Sequence, residues 1–189
     1  MRVYVRNMGG TPIILDLAQS SDLAALQAEI DALQVIIQAR GQFQGTDTND
    51  NAVAGNVGEY VSSIIVTGSS VALTTAVAAD VTSISLTAGD WDVWVNGFFN
   101  PAGTTVTTLG IICVSLVSAT LDVTIGRVGL LSIPAAGFTG AGSGGNITVN
   151  TGPVRFSLAS TTTLFFVAQA NFTTSTMRAY GGIFARRVR

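Results

Sequence analysis

Residues 107–117 read TTLGIICVSLV, and this stretch decides the fold. In an extended chain successive side chains point to opposite faces. Leu109, Ile111 and Cys113 then line one face, and Ile112, Val114 and Leu116 the other. A strand with one wet face alternates apolar and polar residues. Two apolar faces require a second burial partner, either another sheet layer or a neighbouring subunit. Strands are read on both sides of this stretch. Residues 60–67, 71–75, 81–86 and 91–99 precede it, and 121–133 hold one or two more. Residues 147–149, 154–158, 164–172 and 177–188 follow. In WDVWVNGFF (91–99), Trp91, Val93 and Val95 face one way and Asp92, Trp94 and Asn96 the other. Residues 164–172 are again apolar on both faces. Roughly ten short strands with turn signals between them and no helical pattern predict a mainly β chain whose head is a jelly-roll β-sandwich. The head spans 59–189, a length sufficient for one such core.

Ahead of the head lies a helical segment, SDLAALQAEIDALQVIIQAR at 21–40. Its large apolar residues Leu23, Leu26, Ile30, Leu33 and Ile37 step by three, four, three, four. That is a heptad seam with Leu23, Ile30 and Ile37 at a and Leu26 and Leu33 at d. Ser20, Ser21 or Asp22 can cap its start, and Gly41 is placed to end it. A helix of roughly 28 Å is marginal alone in water, because nucleation is costly and the stripe is unburied. The following strands have their own core, so the segment is read as a self-associating coiled-coil stalk over 20–41. Ile at a with Leu at d leans to two strands, so the seam does not itself specify three chains.

Residues 1–19 form a separate attachment segment. Val3 and Val5 alternate with Arg2, Tyr4 and Arg6, residues 7–10 (NMGG) signal a turn, and 12–17 form a second apolar run. The pattern predicts a short N-terminal β-ribbon. A lone hairpin is marginal, so it must pack on something, and Val3, Tyr4, Val5, Ile13, Ile14 and Leu15 are the candidate attachment residues. Residues 42–58, rich in Gly, Asn and Asp, read as a linker.

Composition restricts the function. Charged residues are 11% of the chain, far below the usual quarter, and mean hydropathy is +0.51. No segment reads as a membrane span, since the longest uncharged run, 93–121, is broken by Asn96, Gly97, Asn100, Pro101 and Gly103. Such a chain hides surface in an oligomer. The nine cations are all Arg, and the net charge of −2 argues against a nucleic-acid partner. The opening MRVYVRNMGG has no apolar signal core. Cys113 is the single cysteine and reads as a small core residue.

Catalytic groups are sparse. There is no His to serve as base or metal ligand. Asp47, Asn49 and Asp50 match a calcium loop in composition but not in EF-hand spacing, so neither metal nor cofactor is expected. The glycines of 135–145 lack the Lys-Ser/Thr and the helix of a phosphate cradle. Asp90 and Asp92 share a strand face beside aromatics, as a glycosidase pair could. A turn or strand-edge role suits them better, and core packing suits Trp91, Trp94 and Phe98. Arg186, Arg187 and Arg189 form a basic terminus that needs counter-charges if buried. The chain is read as not an enzyme.

Two stretches carry a resemblance. SLTAGDWDVWVNGFF (85–99) and LFFVAQANFTTSTMRAYGGIFARRVR (164–189) resemble the C-terminal domains of tailed-bacteriophage fibre and virion-surface proteins. The layout is also similar to the jelly-roll heads of tumour-necrosis-factor and complement-type proteins. The resemblance implies a homotrimer on the virion surface, with the two-sided strands around Cys113 and Val167 partly facing the three-fold axis. It implies a phage capsid or other virion protein as the partner of the N-terminus. The shortness of the attachment region favours a capsid decoration protein or head fibre. A short tail fibre, binding host-surface glycan through loops 100–105, 135–145 and 173–176, is the alternative. A free bacterial complement-like binding module is a third reading.

Overall fold

The computed structural model describes the backbone of residues 2–6, 12–16, 20–39, 50–132, 138–139 and 145–189, and the side chains of 23–36, 50–132 and 145–189. The chain forms two compact units, Met1–Asn49 and Asp50–Arg189.

In the first unit, β1 (Arg2–Arg6) and β2 (Pro12–Asp16) pair antiparallel, and α1 runs over Ser20–Ala39. The ribbon and the helix are therefore present as the sequence predicts.

The second unit is a sandwich of two antiparallel sheets. Its strands are β3 (Tyr60–Ile65), β4 (Val71–Leu73), β5 (Ala79–Leu86), β6 (Gly89–Pro101), β7 (Val106–Ser115) and β8 (Val128–Ser132), followed by β9 (Phe138–Thr139), β10 (Ile147–Asn150), β11 (Val154–Leu158), β12 (Thr162–Thr173) and β13 (Met177–Arg187). One sheet reads β10/β11–β6–β13–β3/β4, and the other β5–β12–β7–β8/β9. Each has four strand positions, and the chain alternates between the sheets as it fills them, except that β7 is followed by β8/β9 in its own sheet. That is jelly-roll winding. Three positions are filled by two strands each: β3/β4, β8/β9 and β10/β11. Thr151–Gly152–Pro153 interrupts β10/β11, where the Thr151 hydroxyl accepts a bond from Val95 N–H and Pro153 has no N–H to give a ladder. A 3-10 turn at Thr67–Ser69 interrupts β3/β4.

The alternation read in 91–99 holds. Trp91, Val93, Val95 and Phe99 are fully buried between the sheets with Ile112, Val114, Leu164, Phe166 and Ile183. Trp94 and Phe98 lie on the outer face and are half-buried. Gly181 sits at φ 129°, and a Cβ there would lie 2.1 Å from the Asn96 carbonyl oxygen. Only glycine lets β13 approach β6 this closely.

Three readings change. The second face of 107–117 does not wait for another subunit. Cys113 and Val167 are already fully buried in the single chain, because residues 116–127 cross the outside of their sheet. Asp80 of β5 accepts bonds from the Ser118 hydroxyl and the Ala119 N–H, and Cys113 Sγ of β7 accepts one from Asp122 N–H, so the loop spans the strands between. Only Val128–Ser132 of the predicted 121–133 strand region is a strand. Residues 50–58, read as linker, are bonded to the head. Asn51 grips both backbone groups of Tyr60 through its side chain, and Gly58 N–H bonds the Arg187 carbonyl. Composition cannot reveal such tertiary bonds.

Candidate functional site

In the first unit, α1 leaves its seam uncovered. Leu23, Ile30 and Leu33 are 55%, 41% and 45% exposed, while Leu26 is half-buried; the Ile37 side chain lies outside the described residues. Ile36 is also exposed, widening the stripe. In the ribbon, Val3 stands opposite Leu15, Tyr4 opposite Ile14 and Val5 opposite Ile13. Their side chains lie outside the described residues.

The head has two distinct ends. The chain enters at the base, where Tyr60 pairs with Arg186, and Arg186 with Asp92. Eleven residues of β13 later, counted back to Met177, the opposite end begins. At about 3.3 Å per residue the two ends are roughly 33 Å apart.

The base is tied by charge. Arg187 is buried, and its Nε donates to Glu59 at 2.9 Å, its Nη1 to the Ala88 carbonyl at 2.8 Å, and its Nη2 to the Thr87 hydroxyl. Its guanidinium also lies 4.2 Å over the Trp91 ring. Gly89 makes room for it, since a Cβ there would lie 2.0 Å from Arg187 Nη1. Burial pushes the Glu59 carboxyl up, but the Gly55 N–H and Arg187 outweigh it and hold it below the ordinary range. Asp90 accepts from Arg155 at 2.9 Å and Arg189 at 2.8 Å, and hydrogen bonds from Arg155 and Ser157 hold it low. Asp90 and Asp92 do share the outer face, and Asp90 is tied there to Arg155 and Arg189. The counter-charges of Arg187 and Arg189 thus come from the same chain. Burial pushes the Cys113 thiol up, away from the nucleophilic thiolate. Among the described residues no cluster of metal-ligating side chains occurs, and no helix is long and apolar enough to cross a membrane. Asp47 and Asn49 lie outside the described residues.

At the far end the predicted loops meet. Ala102 N–H and the Thr105 hydroxyl both donate to the Thr176 carbonyl, joining the β6–β7 and β12–β13 turns. Val106 stands between Thr173 and Thr139, which brings the described part of 135–145 to the same end. Residues 133–137 and 140–144 lie outside the described residues.

The outer face of the β6/β13 sheet carries aromatic pairs: Trp91 is a core residue as expected, but Trp94 and Phe98, also expected in the core, alternate with it onto this outer face. Phe184 stands directly opposite Trp94, and Tyr180 opposite Phe98. Trp94 and Phe184 stack with centroids 5.7 Å apart, Phe98 and Tyr180 at 5.0 Å, and Tyr60 lies against the first pair. The signal was present in alternate positions of two strands, but only the register shows that the rings are neighbours.

No protein-family model matches the chain, and no curated protein matches it. Among solved structures it is similar to a chain in the structure of infectious bursal disease virus, Gt strain, with 10% identity and a TM-score of 0.38. The match covers 77% of this chain and 36% of that one, so this chain spans little more than a third of that chain's length. The jelly-roll assignment stands on the strand order, not on this likeness.

Proposed function

We propose that the chain is a non-enzymatic structural protein of a virion surface, homotrimeric and attached to a tailed-phage capsid through its N-terminal ribbon as a decoration protein or head fibre. The observation that carries the reading is the uncovered heptad seam of α1 ahead of a complete sandwich. A finished head does not need that helix for its core, so the helix serves assembly. The virion and the number three come from the resemblance of residues 85–99 and 164–189.

The test is immunolabelling of intact particles under negative stain. Label spread over the capsid is expected. Label absent from particles removes the virion reading. In solution, Ile30→Asp with Leu33→Asp places two acids per chain in the seam and should sharply weaken association by light scattering. An unchanged association curve would mean that α1 is not the stalk.

The joined far-end loops favour a second reading, a short tail fibre whose tip binds host-surface glycan. They lie at the end opposite the chain entry, where a receptor would meet them. Label confined to the tail tip would select this reading over the first.

A further inference from the structure

The chain's low charge leaves one large face of the head to explain. The outside of the β5/β12/β7 sheet is crossed by residues 116–127. Over the outside of the β6/β13 sheet no described segment of the head passes. That face is built in rows. The row nearest the base holds Tyr60, Arg186, Asp92 and Arg155, and the last holds Arg178 and Asn100. Between them, Phe184 with Trp94, Ile64 with Asn96 and Asn150, and Tyr180 with Phe98 carry no formal charge. Ile64 is 60% exposed. Gly182 keeps the middle row low, because a Cβ there would lie 2.7 Å from the Phe184 ring.

We infer that this face is a contact surface between copies of the head. The inference rests on the oligomeric reading above and adds a second contact to the one proposed for α1. Its pattern is an aromatic centre depleted of charge inside a charged rim, the anatomy of a protein interface. The rim is self-complementary. Asp92 and Arg186 stand at one level, and neither is in an ion pair among the described residues. Copies related by an axis along the strands meet at equal levels, so Arg186 of one reaches Asp92 of the next. The uncharged rows cover on the order of 400 Å² in projection, from strand spacings of about 4.8 Å and rises of about 3.3 Å. A stable complex buries about 800 Å² per partner, so the face alone holds copies weakly. Joined by α1, it acts at the raised effective concentration of a tethered site.

The experiment is the mass of the full chain by light scattering across a concentration series. The Ile30→Asp/Leu33→Asp chain should still associate at high concentration. Adding Asn96→Arg, an exposed position at the centre of the face, should return it to the 19.4 kDa monomer throughout. Ile64→Arg is the second variant, and an unchanged melting temperature shows that either one is folded. Three results overturn the inference: a stalk variant monomeric at every concentration, arginine variants that associate as before, or a monomer whose Trp94 fluorescence is quenched by maltohexaose, which would make the face a sugar site. An unchanged curve for the stalk variant alone counts against α1 and leaves the face to be judged by the arginine variants.

Discussion

The outer faces of the two sheets present the same problem and solve it differently. Behind β7 and β12, the apolar side chains are roofed by the chain itself, and Cys113 and Val167 have no contact with water. Outside β6 and β13, Trp94, Phe98, Tyr180 and Phe184 cover one another only in part. A two-faced apolar strand therefore does not identify an intermolecular surface. Within the head, the inferred contact surface lies where the second face is aromatic, uncharged and unroofed.

The sharpest way to separate inside from outside is the pair of tryptophans on β6. Trp91→Ala should cost about 3–5 kcal/mol in denaturant unfolding, because a fully buried ring is lost. It also removes an indole N–H that bonds the Thr87 carbonyl and the ring beneath Arg187. Trp94→Ala should cost only about 1 kcal/mol, the scale of one aromatic pair. Equal losses would mean that the two faces of β6 are not different environments. The roof can be broken next. Asp80→Ala deletes the acceptor for Ser118 and Ala119 and should cost about 1–2 kcal/mol. Its more telling effect is on Cys113, which should react with a disulfide reagent much faster than in the parent protein. Unchanged reactivity would show that the loop is not what shields the thiol.

The smallest effect is expected from pH, and its sign follows from the lowered carboxyls Glu59, Asp90 and Asp122. Each lies below its unfolded value, so its contribution is fully present above about pH 4–5 and is lost as pH falls through the folded value. With no His in the chain, the melting temperature should be level from about pH 5 to 8 and fall only in acid. A step near neutrality would contradict this.

Much of the fold was legible because it is written in period two. Trp91, Val93 and Val95 against Asp92, Trp94 and Asn96 declared their faces without help. The seam of α1 was equally plain from its three-four spacing. What could not be read depends on pairs distant in sequence. Val123 and Ile125 look like strand residues, yet their segment is held by Asp80 and Cys113 as a loop. Arg187 looks like its neighbours in an exposed basic tail, yet it is 4% exposed because Glu59 lies beside it. Asp122 likewise takes up Arg127 at 2.7 Å, which aims that guanidinium over Phe156. The aromatic face was half legible: the rings were visible, but their neighbours were set by the register of β6 against β13.

That register places β13 in the interior of its sheet, with β6 on one side and β3 and β4 on the other. It is the last strand of the head to leave the ribosome. Until residues 177–187 emerge, β3 and β6 each present an open edge, and the aromatic rings of β6 have no partners. The nascent head is therefore at its stickiest just before it is finished. A β13 exchanged between two unfinished heads is the characteristic mistake of this order of synthesis.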